Sequence, residues 1–336
     1  MGNERKAADW RPLRFVGIST RVRKYDVPLS KPTIAVLMGG SSAEREISLQ
    51  TGMGVSATLE GLGYITYSLE YDDTFVDRLR ERRPDAVFIA LHGGSGEDGS
   101  VQAILDWMRL PYQGSGVRAS AVAMDKEMTK ALMLANGIPT PVFSVFEASA
   151  PLPTSPPSEL GCPCVVKPSA QGSSVGVSIV SESADWADAI AGASKFGGRI
   201  LVEQYIPGRE FTAAILEEQP LPIVEIIPND DSYSYAAKYT PGGSTHKVPA
   251  QVDASLAMSM QDYAMRLHSA VGARDYSRTD FLLDEHSGIF ALECNTLPGL
   301  TAFSLFPEAA AAAGISYAAL VERLVRSALA RTAVAG

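Results

Sequence analysis

The chain has 336 residues, 46% hydrophobic and 20% charged, with a net charge of −9. That balance excludes a disordered chain and argues against a general nucleic-acid binder, while leaving room for an anionic ligand held by a few local cations. No apolar run approaches the ~18 residues of a membrane span. Cys162, Cys164 and Cys294 make no paired framework, so a reducing, cytoplasmic setting is expected.

Residues 1–31 read as a basic N-terminal extension. Arg5, Lys6, Arg11, Arg14, Arg21, Arg23 and Lys24 outnumber Glu4, Asp9 and Asp26, and no apolar core follows to make a secretory signal. Thr33–Met38 then reads as a buried parallel strand. Gly39-Gly40-Ser41-Ser42 breaks it, and a helix is expected from Ser42 with Glu44 and Glu46 in its first turn. Strands at Tyr64–Leu69 and Ala86–Leu91 enclose a helix at Thr74–Arg82, the alternation of a doubly wound sheet. Ligands of such sheets bind beyond the carboxyl ends of the strands. The loops leaving those ends are Gly39–Glu44 and His92–Gly99.

A helix is predicted around Met124–Asn136, ended by Pro139 and Pro141. The proline-rich Pro151–Pro157 is a surface connector. Cys164–Lys167 reads as a strand running into a Gly/Ser loop, Pro168–Gly176. The order, lysine before glycines, reverses that of a P-loop, but backbone N–H groups, hydroxyls and Lys167 would still suit phosphate oxygens. Taken alone, the run also suits a hairpin that binds nothing. Boundaries near residues 120 and 206 divide the chain into 32–120, 121–206 and 207–336.

Arg278–Asp284 and Ile289–Asn295 read as two strands joined at Glu285–Gly288. If Asp284 faces Ile289, then Asp280 faces Glu293 and Arg278 faces Asn295. Alternation puts those four polar groups on one face, with Phe281, Leu283, Phe290, Leu292 and Cys294 on the core face. Two carboxylates and an amide oxygen form a hard, oxygen-only set suited to Mg²⁺, although a solvated polar face with an Arg/Asp pair has the same pattern.

At these residues the chain resembles the D-alanine–D-alanine ligases of the ATP-grasp superfamily. The resemblance runs from about Pro32 to Ala330. Its blocks are Gly39–Gly52, Leu91–Gln102, Met124–Lys130, Lys167–Gly176, Glu203–Phe211, Ala237–Gly243, Arg278–Phe281 and Leu292–Pro307. It implies an α/β, three-domain ATP-grasp architecture: an N-terminal doubly wound parallel-sheet domain and two α+β subdomains clasping ATP.

The resemblance also implies roles. Lys126, Lys167 and Ser174 would hold ATP phosphates. Glu203, Gln204 and the backbone through Ile206 would hold adenine, and Glu210 the ribose. Lys238 would lie on the lid, residues 233–243, with Tyr233. Asp280, Glu293 and Asn295 match Mg²⁺ ligands, for two ions, with Mn²⁺ able to substitute. Glu44 would hold the ammonium of the first D-alanine in a hydrogen-bonded set with Ser173 and Tyr239, with His92 nearby. Arg278 and the Gly299 N–H match an oxyanion site, and Ser304, followed by Leu305, matches the seat of the second carboxylate. The implied reaction is ATP-dependent joining of two D-alanines through an acyl phosphate, by a homodimer with no nucleic-acid or membrane partner. The same family includes ligases with other acceptors, such as D-lactate or D-serine. Tyr239 and Ser304-Leu305 match the dipeptide-forming kind. A silent nucleotide-binding relative would have lost some of Arg278, Asp280, Glu293 and Asn295, all of which are present.

Overall fold

The computed structural model describes residues 31–173, 175–229 and 243–332. The extension up to Ser30, Ser174 and the lid residues Tyr233, Lys238 and Tyr239 lie outside the described residues. Thr33–Met38 forms β1, buried as a central parallel strand must be. It pairs in parallel with β2 (Ile65–Glu70) on one side and β3 (Ala86–Ile89) on the other. Helices α1 (Arg45–Gly61) and α2 (Phe75–Arg82) connect them. Helix α1 begins at Arg45, not at the expected Ser42. Gly39 and Gly40 hold φ of +83° and +89°, and the Ser42 hydroxyl bonds across to the His92 carbonyl. The segment is therefore a loop, with Glu44 at the N-cap position.

Helix α3 (Ser100–Trp107) is followed by α4 (Val117–Met124) and α5 (Lys126–Ala135). The helix expected at Met124–Asn136 is thus the second of two. Asp125 is extended between them, and its carboxylate caps α5 by accepting from the Glu127 and Met128 N–H groups. The next sheet is antiparallel and consists of β4 (Phe143–Glu147), β5 (Cys164–Pro168), β6 (Ser178–Val180) and β7 (Arg199–Gln204), in the order β4-β7-β5-β6. Helix α6 (Trp186–Ser194) covers it through Trp186 and Ile190, against Val166 and Val202.

The largest sheet is also antiparallel. It contains β8 (Arg209–Leu216), β9 (Gln219–Pro220), β10 (Val224–Pro228), β11 (Ser244–Lys247), β12 (Tyr276–Asp284) and β13 (Gly288–Asn295). Their order is β11-β10-β8-β12-β13, with β9 on β8. Helix α7 (Ala254–Val271) packs Met260, Ala264 and Leu267 onto Phe211 and Phe281. The chain then returns to the first sheet: Phe306 of α8 (Leu305–Ala312) and Leu320 and Leu324 of α9 (Tyr317–Thr332) share a core with Ile34, Leu37 and Phe88. Among the described residues no helix is long and apolar enough to cross a membrane.

The β12–β13 hairpin keeps the expected pairs Arg278–Asn295 and Asp280–Glu293, but Asp284 faces Gly288 rather than Ile289. A bulge after Asp280 takes up the difference, because Phe281 pairs with Ala291 and Leu292 is the extra residue. One extra residue reverses the parity of the rest of its own strand on the turn side, and leaves that of the partner strand unchanged. The core face is therefore Phe281, Leu283, Ile289, Ala291 and Cys294, all buried, while Phe290 and Leu292 leave it.

Candidate active site

The loops after β1 and β3 lie side by side at the carboxyl end of the parallel sheet. Ser42 Oγ donates to the His92 carbonyl at 2.6 Å, and Ser48 Oγ donates to the Ala90 carbonyl at 2.8 Å. Buried Glu44 reaches over Gly93, whose φ is +65°. A Cβ at Gly93 would stand 2.5 Å from Glu44 Oε2, so a side chain there would displace the carboxylate. His92 Nε2 lies 3.0 Å from Thr51 Oγ1. Burial lowers the His92 pKa to about 4 against the opposing charge of Glu44, and Arg278 adds to the fall. The ring is neutral at pH 7. Glu97 accepts from the Gly93 N–H at 2.9 Å, and burial, reinforced by Glu44, raises its carboxyl to about 7.

These loops form one wall of a cleft of about 1140 Å³. Arg278, Glu293 and Asn295 of the hairpin form another, together with Gly299, Ser304 and Leu305 of the loop leading into α8. Lys126, Gly172 and Ser173 close a third side. Ser304 is the N-cap residue of α8, and its Oγ accepts from the Thr301 N–H at 3.0 Å. A Cβ at Gly299 would stand 3.0 Å from Ser304 Oγ and 3.8 Å from His92 Cε1, so these three expected residues are neighbours. A helix N-terminus with a hydroxyl is a seat for a carboxylate.

The polar face of the hairpin carries alternating charges. Arg278 forks onto Asp280 with two contacts of 2.8 Å, and Thr212 Oγ1 donates to Asp280 Oδ1 at 2.7 Å. Lys126 Nζ lies 3.3 Å from Glu293 Oε2 and donates to the Gln171 carbonyl at 2.6 Å. Asn295 Oδ1 accepts from the Leu297 N–H at 2.8 Å. Both carboxylates already hold cations, and the donors are all hard oxygens, so the set fits Mg²⁺. Among the described residues no group of three or more His, Cys, Asp or Glu has metal-binding geometry. Two carboxylates and an amide leave the rest of a shell to water and phosphate oxygens.

The remaining expected residues form a second group on β5, β7 and β8. Lys167, at the end of β5, donates to Glu203 on β7. Gln204 ends β7, buried Ile206 follows, and Glu210 lies on β8 opposite Ile226 and Leu282. The phosphate loop is tied to the start of α5, where the Lys126 N–H donates to the Ser169 carbonyl at 3.0 Å and Ser169 Oγ donates to Asp125 at 3.0 Å. Burial favours a protonated Glu203, but Lys130 and Lys167 outweigh it and hold its carboxyl down at about 2.

Three features went unread in the sequence. Lys130 lies four residues after Lys126, a spacing that puts both on one helical face and that does signal the pair. Glu97 shares the His92 loop. His246 Nδ1 lies 2.8 Å from Glu308 Oε2 at the rim of the cleft, a contact between residues 62 apart that no local pattern announces.

Two antiparallel sheets, one offering lysines and a Gly/Ser loop and the other a carboxylate hairpin, are the arrangement of an ATP-grasp ligase, and that is the class of this chain. The family models described as "D-ala D-ala ligase N-terminus" and "D-ala D-ala ligase C-terminus" match residues 70–115 and 113–326. The chain belongs to the D-alanine–D-alanine ligase family. A D-alanine–D-alanine ligase of Gloeobacter violaceus is 46% identical over 295 residues, covering 87% of this chain and 98% of the relative. One of Ruegeria pomeroyi is 45% identical, covering 89% and 97%. Crystal structures of the Bacillus anthracis ligase superpose with a TM-score of 0.81 at 32% identity, and of 0.80 at 29% identity for its ATP complex. Each covers 91% of this chain and 100% of the other.

Proposed function

We propose that the cleft carries out the family's reaction on the residues assembled above. The enzyme joins two D-alanine molecules with ATP, giving D-alanyl-D-alanine, ADP and phosphate, for peptidoglycan precursors. The observation that carries this reading is the convergence on one cleft of Glu44, Arg278, Glu293 and Ser304, from four separate segments.

A free carboxylate is a poor acyl donor because oxide would have to leave. Transfer of the γ-phosphoryl group onto the first D-alanine supplies a leaving group, and the amine of the second then displaces phosphate. Glu44 holds the first ammonium, together with Ser173 and Tyr239. Lys126, Lys167, Ser174 and Lys238 neutralise phosphate oxygens, which is most of what a protein contributes to phosphoryl transfer. Glu203, Gln204 and Ile206 receive adenine and Glu210 the ribose. Arg278 and the Gly299 N–H stabilise the tetrahedral oxyanion, a donor of this kind being worth roughly 3 kcal/mol. Ser304 and the N-terminus of α8 take the second carboxylate, beside Leu305. Neutral His92 leaves the ammonium groups unopposed, and Tyr233 helps to close the lid. Asp280, Glu293 and Asn295 would hold Mg²⁺, which screens phosphate charge when bound.

The division into residues 32–120, 121–206 and 207–336 is supported by one sheet lying in each part. A cytoplasmic location is proposed because ATP is a cytoplasmic substrate, and a homodimer is proposed only because the family resemblance implies one. Incubation with ATP and D-alanine, with the dipeptide read by mass and phosphate by release, tests the reading. Phosphate release without dipeptide contradicts it.

A further inference from the structure

The Lys130 side chain is fully buried, and none of the steps above uses it. Its Nζ lies 2.8 Å from Glu203 Oε2, in ion-pair contact, and donates to Thr140 Oγ1 at 2.7 Å. Thr140 in turn donates to the Ala291 carbonyl at 2.8 Å. The ring of Phe143 lies 5.5 Å away. One ammonium thus links α5, β7 and β13 with no exposure to water.

Glu203 is left with two cations, Lys130 at Oε2 and Lys167 at Oε1, where one would neutralise it. The two differ in freedom. Lys167 stands where the phosphate loop begins and is the one placed to turn toward phosphate. Lys130 is enclosed and also bonded to Thr140. A turn of Lys167 toward phosphate would open Oε1 to a donor while Lys130 stayed at Oε2.

We propose that Lys130 is a positioning residue that keeps Glu203 an acceptor-only carboxylate, and so makes the site select a 6-amino purine over a 6-oxo purine. This rests on the proposed reading of Glu203 as the contact to the base. An adenine amino group donates to a carboxylate, whereas a 6-oxo group presents a lone pair to it and is repelled. Without Lys130, and with Lys167 on phosphate, the buried carboxyl takes up a proton and offers a donor as well. The 6-oxo base then becomes acceptable.

The test is calorimetric binding of ADP and IDP to the full chain, with steady-state kinetics on ATP and ITP, for wild type, Lys130→Met and Glu203→Gln. Lys130→Met is expected to lower the adenine-to-hypoxanthine preference at least tenfold. The loss should fall on KM for ATP, with kcat changed less than threefold. Glu203→Gln should lower the preference too, because its amide offers both donor and acceptor. An unchanged preference in Lys130→Met beside a lowered one in Glu203→Gln overturns the role of Lys130 and leaves the base contact standing. An unchanged preference in Glu203→Gln overturns the base contact itself, and this inference with it. Should Lys130→Met not fold, Thr140→Val, which removes the second bond of Lys130, is expected to lower the preference in the same direction. No change there overturns the proposal.

Discussion

Glu203 lies between two lysines inside the protein, and they reverse its ordinary tendency to take up a proton when buried. Its folded pKa of about 2 is below the ordinary 4.5. The stability it contributes is therefore fully present above about pH 4.5 and is lost as the pH falls toward 2. Replacing it by Gln leaves two buried ammoniums without a counter-charge, a loss of about 3–5 kcal/mol. The melting-temperature gap between wild type and Glu203→Gln is expected to be wide at pH 7 and to narrow toward pH 3. A gap constant over that range, measured by calorimetry, would show that the charge of Glu203 is not what the lysines hold. Glu203 and Lys167 stood out in the sequence through their motifs. Their pairing did not, because β5 and β7 meet only in the sheet, with residues 169–198 between them.

The β12–β13 hairpin brings its carboxylates together by register alone, and one bulge decides which neighbours face them. Glu293→Gln removes a metal-type carboxylate and the partner of Lys126. Turnover is expected to drop at least a hundredfold and the Mg²⁺ concentration for half-activity to rise, with little change in thermal unfolding. An unaltered Mg²⁺ titration in the purified variant contradicts the assignment. Helix α8 acts through its first turn. Ser304→Ala removes one charge-assisted hydrogen bond, worth about 1.5–3 kcal/mol. The KM of the second D-alanine should therefore rise about tenfold or more, with the KM for ATP nearly unchanged. Equal rises in both would place Ser304 away from the acceptor. Alternation made the polar face of this hairpin readable in advance near Arg278–Asp280. It failed nearer the turn, since nothing in Ile289–Leu292 marks which residue a strand will leave unpaired.

At the scale of the whole molecule, the C-terminal helix closes the N-terminal core, and Asp275 fastens it there. The Asp275 carboxylate accepts from the Gly114 N–H at 2.6 Å, Ser327 Oγ at 2.5 Å and Arg331 Nη2 at 2.5 Å. Three separate stretches meet on one half-turn of chain. Asp275→Ala is expected to cost about 1.5–3 kcal/mol, because it removes the ion pair of the partly buried Arg331, which keeps its bond to the Tyr112 carbonyl, and leaves the Gly114 amide without its acceptor. A urea midpoint within experimental error of wild type would contradict that. Such a fastening was illegible in the sequence, where residues 114, 275 and 331 share no pattern. The strand and loop signals of Thr33–Met38 and His92–Gly99 were legible because each is local. The central claim, that a D-alanine carboxylate is activated by phosphorylation in this cleft, is tested most directly with D-alanine carrying ¹⁸O in both carboxylate oxygens. Carboxylate attack on the γ-phosphorus makes one labelled oxygen the bridge, and the bridge leaves with phosphate when the amine attacks. One ¹⁸O per released phosphate and one in the peptide carbonyl is the expected result, whereas dipeptide formed with unlabelled phosphate would contradict the account.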